Sequence, residues 1–353
     1  MNDAAISRPA ATDDDRLGTR IRAFISAPSG GDFDQLALAV HAYQYRLNAP
    51  YRRLADRLGA ATPRHWSEIA AVPATAFKES VLACGRAERI YESSGTTEGG
   101  ARRARHHVPD AALYRVAALA GFARAVLPTG ERRTFIVAAP ERTSHPASSL
   151  GEMVSWLRAA YDSSDVSGFL DATSALDLGG LAAALDALEP GQPIVLLTVT
   201  SALLRLVDHG RRNGRRWRLP AGSLVVDTGG CKGYAREVAR AEIVDRYGTM
   251  LGVSPDRVVN EYGMTELCSQ LYARGAGPFS APPWMRTLVC DPLTGRPLPA
   301  GRAGLLRHFD LANLGSVLAV QTEDVGRVVD GGIELLGRAA RAEARGCSLL
   351  VAP

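Results

Sequence analysis

The sequence predicts an α/β fold in which mostly parallel sheets are flanked by helices, with a small β subdomain at the C-terminal end. Two observations support this prediction. Short apolar runs alternate with segments of helical periodicity through most of the 353 residues, a pattern typical of parallel strands joined by helices. Beyond about residue 279, proline and glycine become frequent and helical periodicity disappears, which favours short strands.

The first part of the chain is predicted to be helical. Apolar residues recur every three or four positions from Phe33 to Leu47, which indicates a helix over residues 32–47. Pro50 ends that helix, and a second helix is expected over residues 51–58. The apolar residues that follow, at 72–77, lead into a glycine-rich loop.

The central part alternates between helices and buried strands, and ligands of such sheets bind at the carboxyl ends of the strands. The predicted helices cover residues 111–126, 149–161, 175–188, 201–208 and 234–247. The predicted strands cover residues 134–138, 194–199, 224–227 and 258–261, and then 285–290, 304–310, 317–321 and 325–329. The expected domains are an α/β domain at 17–278 and a β subdomain at 279–340, with a disordered segment at 1–16 and a mobile tail at 341–353.

Composition excludes several classes of protein. Hydrophobic residues make up 46% and charged residues 22%, as in ordinary globular proteins, and no apolar run approaches the ~18–20 residues that cross a membrane. The five cysteines form no Cys-x-x-Cys pair, so neither a disulfide framework nor structural zinc is expected, and reduced thiols indicate a cytoplasmic location. The basic run at 211–218 is interpreted as a solvated loop or a dock for an acidic partner rather than a nucleic-acid site.

The first motif is Ser-Ser-Gly-Thr-Thr-Glu-Gly-Gly at residues 93–100. Glycines let backbone N–H groups converge on an anion and the hydroxyls add donors, so this loop can hold a polyphosphate. It differs from a P-loop, because no Gly-Lys-Ser/Thr follows. Taken alone, the motif could equally be a flexible surface turn.

The second motif is Asn-Glu-Tyr-Gly-Met-Thr-Glu at residues 260–266, directly after an apolar strand. Tyr262 can stack on a purine, Thr265 can donate to an α-phosphate, and Glu266 can bind Mg²⁺, a hard cation that prefers carboxylate oxygen. Taken alone, the segment could be an ordinary strand end with a hydrogen-bonded glutamate. Together the two motifs indicate an enzyme that activates a carboxylic acid as its acyl-adenylate.

The order of the motifs resembles the adenylate-forming superfamily of acyl-CoA synthetases, adenylation domains and luciferases. Ser-Ser-Gly-Thr-Thr at 93–97 is followed by Tyr-Gly-Met-Thr-Glu at 262–266, Thr-Glu-Asp-Val-Gly-Arg at 322–327 and Gly-Arg at 337–338. Within it, the chain is most similar to the LuxE-type acyl-protein synthetases. That similarity rests on Ala-Tyr-Gln at 42–44, Asn-Ala-Pro-Tyr at 48–51, Phe-Lys at 77–78, Gly-Gly-Cys-Lys at 229–232 and Arg-Gly-Cys-Ser-Leu at 345–349.

The resemblance covers nearly the whole chain and implies the large N-terminal domain of the adenylate-forming fold, with ATP and Mg²⁺ as ligands. The implied phosphate loop consists of Ser93, Ser94, Gly95, Thr96 and Thr97. The implied adenine and acyl pocket includes Gly229 and Gly230. The implied nucleotide and magnesium motif consists of Tyr262, Gly263, Thr265 and Glu266.

A ribose site is implied further along the chain. Asp324 matches an aspartate that holds the ribose hydroxyls, and Arg338 matches the arginine beside it. The alternative for Asp324 is a turn residue before Gly326. We expect the ribose role.

The sequence departs from the superfamily pattern in its cations. Phosphate loops there usually end in Pro-Lys, whereas Gly-Ala-Arg stands at 100–102, so Arg102 or Arg103 is expected to supply the charge. Larger relatives continue into a mobile domain with a catalytic lysine, preceded by a charged hinge residue where Ala340 stands here. The two lysines of this sequence are Lys78 and Lys232. Lys232 is the predicted catalytic one, and Lys78, a partner or arginines remain alternatives for neutralising the leaving pyrophosphate.

Cysteines and histidines supply further candidates. In the LuxE-like family a cysteine near the C-terminus accepts the acyl group as a thioester, and Cys347 matches its position; a thiolate on a flexible tether is a suitable acceptor. Cys231 is a second candidate in the predicted active-site loop. Either thiol could instead be an unreactive cysteine, at the surface for Cys347 or in packing for Cys231. His106 and His107 could contact phosphate or the acid, although adjacent residues of a strand face opposite ways and such a pair more often serves packing.

We therefore predict an ATP-dependent ligase that forms an acyl-adenylate, releases pyrophosphate and passes the acyl group to a thiol. The acceptor is Cys347 or a partner such as a reductase or carrier protein. Two alternatives stay open, namely a stand-alone adenylating enzyme for an aryl or amino acid in a biosynthetic pathway, and a degenerate member that binds a ligand without turnover. The sequence does not identify the acid, and a homodimer is also left open.

Overall fold

The computed structural model describes residues 13–94, 103–230 and 238–339. Helices in these ranges are α1 (Asp13–Ser26), α2 (Phe33–Leu47), α3 (Ala49–Arg57), α4 (Ala111–Ala125), α5 (Ser149–Tyr161), α6 (Leu178–Asp186), α7 (Thr200–Arg212) and α8 (Arg240–Leu251). Strands are β1 (Val72–Pro73), β2 (Arg89–Glu92), β3 (Arg105–Val108), β4 (Thr134–Ala138), β5 (Ile194–Val199), β6 (Leu224–Thr228), β7 (Val258–Tyr262), β8 (Leu271–Arg274), β9 (Met285–Cys290), β10 (Gly304–Asp310), β11 (Ala319–Val329) and β12 (Gly332–Arg338).

The central sheet has the order β4-β5-β6-β7-β8. Strands β4 to β7 are parallel to one another, and β8 is antiparallel at the edge. Each parallel strand comes from a short apolar run that is buried over nearly its full length. The predicted α/β fold with a mostly parallel sheet is therefore confirmed.

Helices cover both faces of this sheet because successive side chains of a strand point to opposite faces. One face, which includes Phe135, Val195 and Val259, belongs to the same apolar core as α4 and α5. The opposite face, which includes Leu196 and Val258, packs with α6, α7 and α8. The carboxyl ends of the parallel strands lie at one edge of the sheet. The loop that carries Gly229 and Gly230 and the loop that carries the second motif both begin at this edge.

The second sheet has the order β1-β11-β10-β9, with β12 paired to the other edge of β11. The predicted strands at 285–290 and 304–310 are present as β9 and β10. The strands predicted at 317–321 and 325–329 are wrong as separate elements, because the single strand β11 covers most of both. Strand β11 also includes Asp324, which lies next to a shift in its register with β12. Strand β1 reaches this sheet from far earlier in the chain and pairs in parallel with β11.

Several helix boundaries differ from the predictions. Helix α7 ends at Arg212, so it includes the first part of the basic run at 211–218. Helix α8 begins at Arg240 rather than 234 and ends at Leu251, and the next residue, Gly252, caps it with a φ of +67°, a left-handed conformation that glycine accepts readily. Helix α1 begins at Asp13. The predicted domain boundaries stay predictions.

Helices α2 and α3 are fastened to a segment that lies some 270 residues later. The Gln44 side chain donates to the carbonyl oxygens of Asn313 (3.0 Å) and Leu314 (2.9 Å) and accepts from the Leu318 N–H (2.8 Å). Asn48 donates to the Ser316 carbonyl oxygen at 3.1 Å. All these groups are buried, so each bond satisfies a polar atom that has lost its contact with water.

Two further expectations concern the cysteines and membrane-spanning segments. Cys84, Cys268 and Cys290 are free thiols, in line with the predicted absence of a disulfide framework in the part of the chain that the structure describes. In the same part of the chain, no helix combines the length and apolar character that spanning a membrane requires.

Candidate active site

The predicted adenine and acyl segment lies beside the second motif at the carboxyl edge of the central sheet. Gly229 and Gly230 follow β6 directly, and Tyr262 is the last residue of β7. Thr228 is the register partner of Glu261, so the two loops leave adjacent strands at the same level. Gly229 has φ +72°, a conformation that would strain any other residue.

Buried side chains fix the loop after β7 from below. His106 Nδ1 donates to the Thr265 carbonyl oxygen at 2.7 Å, and Asn313 Nδ2 donates to the Glu266 carbonyl oxygen at 2.9 Å. Asp310 accepts from the Cys268 N–H at 2.8 Å. These bonds hold the backbone of the motif in one position, which is what precise placement of its side chains requires.

The two predicted histidines therefore take different places. His106 is buried, its Nε2 lies 3.0 Å from Asn313 Oδ1, and burial lowers its pKa to about 4. It supports the motif from inside and is not placed to meet a ligand. His107 is half-buried on the opposite face of β3, where burial lowers its pKa as well.

Glu266 carries the carboxylate at the centre of the site. It is 7% exposed, and burial raises its pKa to about 7. Arg338 and Lys78 act in the opposite direction as nearby positive charges, whereas Asp324 raises the pKa further. No salt bridge to Glu266 forms among the described residues, so its negative charge is incompletely compensated and would be stabilised by a bound cation.

Tyr262 links the two sheets. Its hydroxyl donates to Asp324 Oδ2 at 2.8 Å, and its ring packs against those of Phe279 and His308 with centroid distances of 5.8 and 5.6 Å. Asp324 and Arg338 are register partners on β11 and β12, with Arg338 Nε 3.9 Å from Asp324 Oδ1. The geometry thus brings the predicted ribose aspartate, its arginine and the second motif into one site.

The beginning of the first motif lies in a hairpin that the sequence did not predict. Ser93 continues β2, its N–H donates to the Ala104 carbonyl oxygen at 3.0 Å, and its hydroxyl accepts from the Ala104 N–H at 3.1 Å. Ser94 is exposed at the end of this pairing. Because β3 also carries His106, the hairpin ties the start of the phosphate loop to the second motif.

The remaining predicted residues lie outside the described part of the chain. These are Gly95, Thr96, Thr97, Cys231, Lys232, Ala340 and Cys347, together with Arg102. Arg103 is described, and its guanidinium lies 3.7 Å from Glu92 at the foot of the loop.

Lys78 reaches the site from the N-terminal part of the chain. It ends a short 3₁₀-helix, Ala74–Lys78, in which the ring of the preceding Phe77 packs edge-on against His106 at 5.6 Å. The Lys78 side chain is exposed, and its positive charge acts on Glu266. The Phe-Lys pair marked the segment in the sequence, but nothing in its spacing indicated this electrostatic effect on Glu266.

Asp310 and Asn313 were missed by the sequence analysis, although Asn313 holds the second motif and Asp310 holds the residues directly after it. Asp310 closes β10 and caps the turn Leu311–Asn313 by accepting from the Ala312 N–H at 3.0 Å. An aspartate directly after an apolar strand was the available signal. Its partners, 41 or more residues away in sequence, could not be read from that pattern.

Comparison with known proteins identifies one similar sequence and several similar structures. A long-chain-fatty-acid–luciferin-component ligase of Vibrio harveyi is 26% identical over 103 residues, which are 27% of each chain. An open conformation of 2-hydroxyisobutyryl-CoA ligase, in complex with 2-HIB-AMP and CoA, is 15% identical with a TM-score of 0.62 over 86% of this chain and 69% of that one. ATP-bound MatB from Rhodopseudomonas palustris is 18% identical with a TM-score of 0.50 over 72% and 49%.

These alignments span about half the length of MatB and about a quarter of the Vibrio ligase. The structural similarities identify the fold, at identities too low to carry more. The model of the family described as "Acyl-protein synthetase, LuxE" matches residues 34–352. The chain therefore belongs to the LuxE family of acyl-protein synthetases.

Proposed function

We propose that this protein joins a carboxylic acid to a thiol in two steps, through an acyl-adenylate made from ATP. The observation that supports this most directly is the site shared by the two sheets. A buried Glu266 with an incompletely compensated charge lies on one side, and the Tyr262–Asp324–Arg338 group lies on the other. In a member of the LuxE family, this arrangement supports the proposal of separate places for a metal-bound phosphate and for a ribose.

In the first step, an oxygen of the acid attacks the α-phosphorus of ATP, and the bond to the β-phosphate oxygen breaks to release pyrophosphate. The chain's contribution is to align the two reactants and to stabilise the negative charge that develops. The Thr265 hydroxyl is the proposed donor to the α-phosphate. The exposed Lys78 and Arg338 side chains are the described cations beside Glu266, and Lys232 remains a proposed third.

Magnesium fits the chemistry of this site. Glu266 offers carboxylate oxygens that form no salt bridge with a described residue, and Mg²⁺ usually takes one or two carboxylates together with substrate phosphates. Among the described residues, no group of three potential metal ligands occurs, so an ion held by the protein alone is not expected. When bound, Mg²⁺ would neutralise phosphate charge.

In the second step, a thiolate attacks the acyl carbon of the adenylate and AMP leaves. Cys347 is the proposed acceptor, with a partner protein's thiol as the alternative. The name of the Vibrio relative gives a luciferin component as its acceptor and a long-chain fatty acid as its substrate. The resemblance supports an acyl-accepting protein here too, and the cytoplasmic location remains part of the proposal.

Intact-protein mass spectrometry tests both steps together. The protein and its Cys347→Ala variant are incubated with ATP, Mg²⁺ and a pool of carboxylic acids, and pyrophosphate is measured in parallel. We expect pyrophosphate release in both proteins and an acyl adduct only in the unmodified sequence. Pyrophosphate without an adduct would assign the acyl group to an external acceptor.

A non-catalytic role is the remaining alternative. If pyrophosphate is released with none of the acids, while calorimetry shows that an acid still binds, the proposed adenylation is wrong for this chain. Glu266→Ala is the matched variant, because it should abolish pyrophosphate release and leave simple binding of the acid largely intact.

A further inference from the structure

A row of polar side chains crosses the central sheet next to the proposed reaction centre. Thr228, Glu261 and Tyr272 are register partners on β6, β7 and β8, so their side chains lie on the same face of the sheet. Glu261 immediately precedes Tyr262. The row therefore lies within one or two residues of the groups that would hold the reacting acid and nucleotide.

Glu261 is a buried carboxylate with a single hydrogen-bond donor. It is 5% exposed, and the Thr228 hydroxyl donates to its Oε2. No described residue donates to its Oε1, and no described cation pairs with it. Burial raises its pKa to about 7. A buried carboxylate left in this state is costly unless a ligand supplies the missing partner.

The arginine of this region is already engaged elsewhere. Arg240 Nη1 donates to Asp227 Oδ2 at 2.7 Å, and Asp227 lies one position before Thr228, on the opposite face of β6. Among the described residues, a cation therefore pairs with the carboxylate on one face of the sheet and none pairs with the carboxylate on the other face. This contrast leaves Glu261 available to a positively charged ligand.

Two neighbouring polar atoms also lack partners. Gln270 Oε1 and the Tyr272 hydroxyl are buried, and neither has a hydrogen-bond partner in the described structure. Gly263 lies directly against the Glu261 side chain, because a Cβ there would come within 2.5 Å of Glu261 Oε1 and 3.4 Å of Gln270 Cγ. Together with Glu261 Oε1, three oxygens on neighbouring residues thus lack a hydrogen-bond partner among the described residues, which is more typical of a ligand site than of a packed core.

Aromatic rings of α4 and α5 cover the same face. The Tyr114 hydroxyl donates to the Ser149 carbonyl oxygen at 3.1 Å, and its ring packs edge-on against Trp156 at 4.9 Å. Burial raises the pKa of Tyr114 well above its usual value, and the charge of Glu261 adds to this effect. Apolar walls around a few polar atoms are the usual composition of a small-molecule pocket.

We infer that Glu261 binds an amino group of the acid substrate, so that the substrate is a short amine-bearing carboxylic acid. This inference rests on the proposed function and specifies its substrate class. The position of Oε1 beside Gly263, two residues before Thr265, keeps the amine close to the carboxylate that is activated. Amino acids and aminobenzoates have that spacing, whereas an unsubstituted long-chain fatty acid offers no donor to the three oxygens.

Equilibrium binding tests this without requiring turnover. Calorimetry uses the protein with Mg²⁺ and α,β-methylene-ATP, and compares matched acids with and without the amine: alanine and propionate, 3-aminobenzoate and benzoate, anthranilate and benzoate, with tetradecanoate as the long-chain acid. We expect at least one amine-bearing acid to bind about tenfold or more tightly than its partner and than tetradecanoate. If no amine-bearing acid binds more tightly than its partner, the inference is overturned.

A variant separates recognition from support of the sheet. Glu261→Gln keeps the size of the side chain and a hydrogen bond with Thr228, but it removes the negative charge. The advantage of the amine should fall by about tenfold or more in this variant, while binding of the amine-free partner changes little. An equal loss for both acids would mean that Glu261 only supports the sheet, which overturns the inference.

Glu152→Gln is the matched control, since Glu152 is a buried glutamate on α5 that already pairs with Arg142 at 3.3 Å. It should leave the preference for the amine unchanged. Pyrophosphate release decides the proposed function separately. Amine-selective binding without pyrophosphate would support the pocket and overturn adenylation, whereas pyrophosphate release with tetradecanoate as the preferred acid would do the reverse.

Discussion

The two sheets contribute differently to the site. In the loop that follows β7 of the central sheet, Glu266 is buried, and the backbone carbonyl oxygens of Thr265 and Glu266 accept hydrogen bonds from His106 and Asn313. On the second sheet, the side chain of Asp324 is 22% exposed and that of Arg338 is 55% exposed. Under the proposed function, this difference would mean that the central sheet holds the reacting groups in a fixed orientation and that the second sheet stays accessible to the nucleotide.

This comparison has a physical basis. Groups that stabilise a transition state contribute most when they are already oriented and shielded from water. Groups that bind a ribose act mainly on affinity and must be reachable from solvent. Changes on the central sheet should therefore lower kcat, and changes on the second sheet should raise the KM for ATP.

The largest effect is expected for Glu266→Gln. The variant keeps the size of the side chain but removes the charge that would bind Mg²⁺, so kcat for pyrophosphate release should fall by about a thousandfold. Glu334→Gln is the control, because Glu334 forms an exposed pair with Arg327 on the second sheet. A Glu266→Gln enzyme that retains most of its kcat would contradict the assignment of the reaction centre.

Lys78→Met should have the next largest effect. Lys78 is an exposed cation whose charge acts on Glu266, so its loss should lower kcat by about a hundredfold. The packing of the neighbouring buried residue Phe77 should change little. Lys78→Arg should restore most of the rate, since it returns the charge. Stopped-flow or continuous pyrophosphate assays distinguish the two variants, and identical rates for Met and Arg would exclude an electrostatic role.

A smaller effect, on affinity rather than rate, is expected for Asp324→Asn. If Asp324 accepts hydrogen bonds from the ribose, the variant should raise the KM for ATP by about tenfold and lose preference for ATP over 2′-deoxy-ATP. Glu323→Gln, which alters the other acid that contacts Arg338, should keep that preference. A large drop in kcat in Asp324→Asn would contradict the division between the two sheets.

The smallest effect concerns stability at the junction of the sheets. Burial lowers the pKa of His308 to about 3, so the folded protein keeps it neutral while the unfolded chain takes up a proton below about pH 6.5. Its contribution to stability is therefore present above pH 6.5 and is lost as the pH falls towards 3. Between pH 7.5 and 5.5, the free energy of unfolding should drop by about 1 kcal/mol more in the wild type than in His308→Gln.

Urea denaturation of both proteins at the two pH values measures this difference. The comparison uses the difference between the proteins because Glu261, Glu266 and Asp310, whose pKa values are raised by burial, occur in both and change stability in the opposite direction. Parallel pH dependences in the two proteins would mean that His308 is protonated in the folded state.

The central sheet could be predicted because each of its strands and helices is marked by a pattern of neighbouring residues. Strands β4 and β5 and helix α5 have the predicted bounds, since each is a short apolar run or a periodic segment with its own ends. The second sheet could not be predicted to the same extent. Val72 and Pro73 form a strand only because β11 lies beside them, and no pattern in two residues reveals a partner 248 positions later, at Val320.

The candidate site follows the same rule. Tyr262 and Glu266 could be identified from a compact motif, and the structure brings them to Asp324 and Arg338 as the motif order implied. Asn313 donates a hydrogen bond to the Glu266 carbonyl oxygen, and the charge of Lys78 lowers the pKa of Glu266. Both residues lie far from Glu266 in the sequence, so spacing along the chain does not reveal these interactions. The roles of these residues in binding and catalysis remain predictions.

The hydrogen bonds from Gln44 and Asn48 to residues 313–318 have a consequence for synthesis of the chain. At about 5–20 residues per second, the ribosome takes roughly 15–50 s to add the 270 or so residues that separate the partners. During that time, the polar groups of α2 that later become buried can bond only to water or to other molecules. The N-terminal helices are thus made first but fastened last, which makes folding of this protein depend on contacts that close a very long loop.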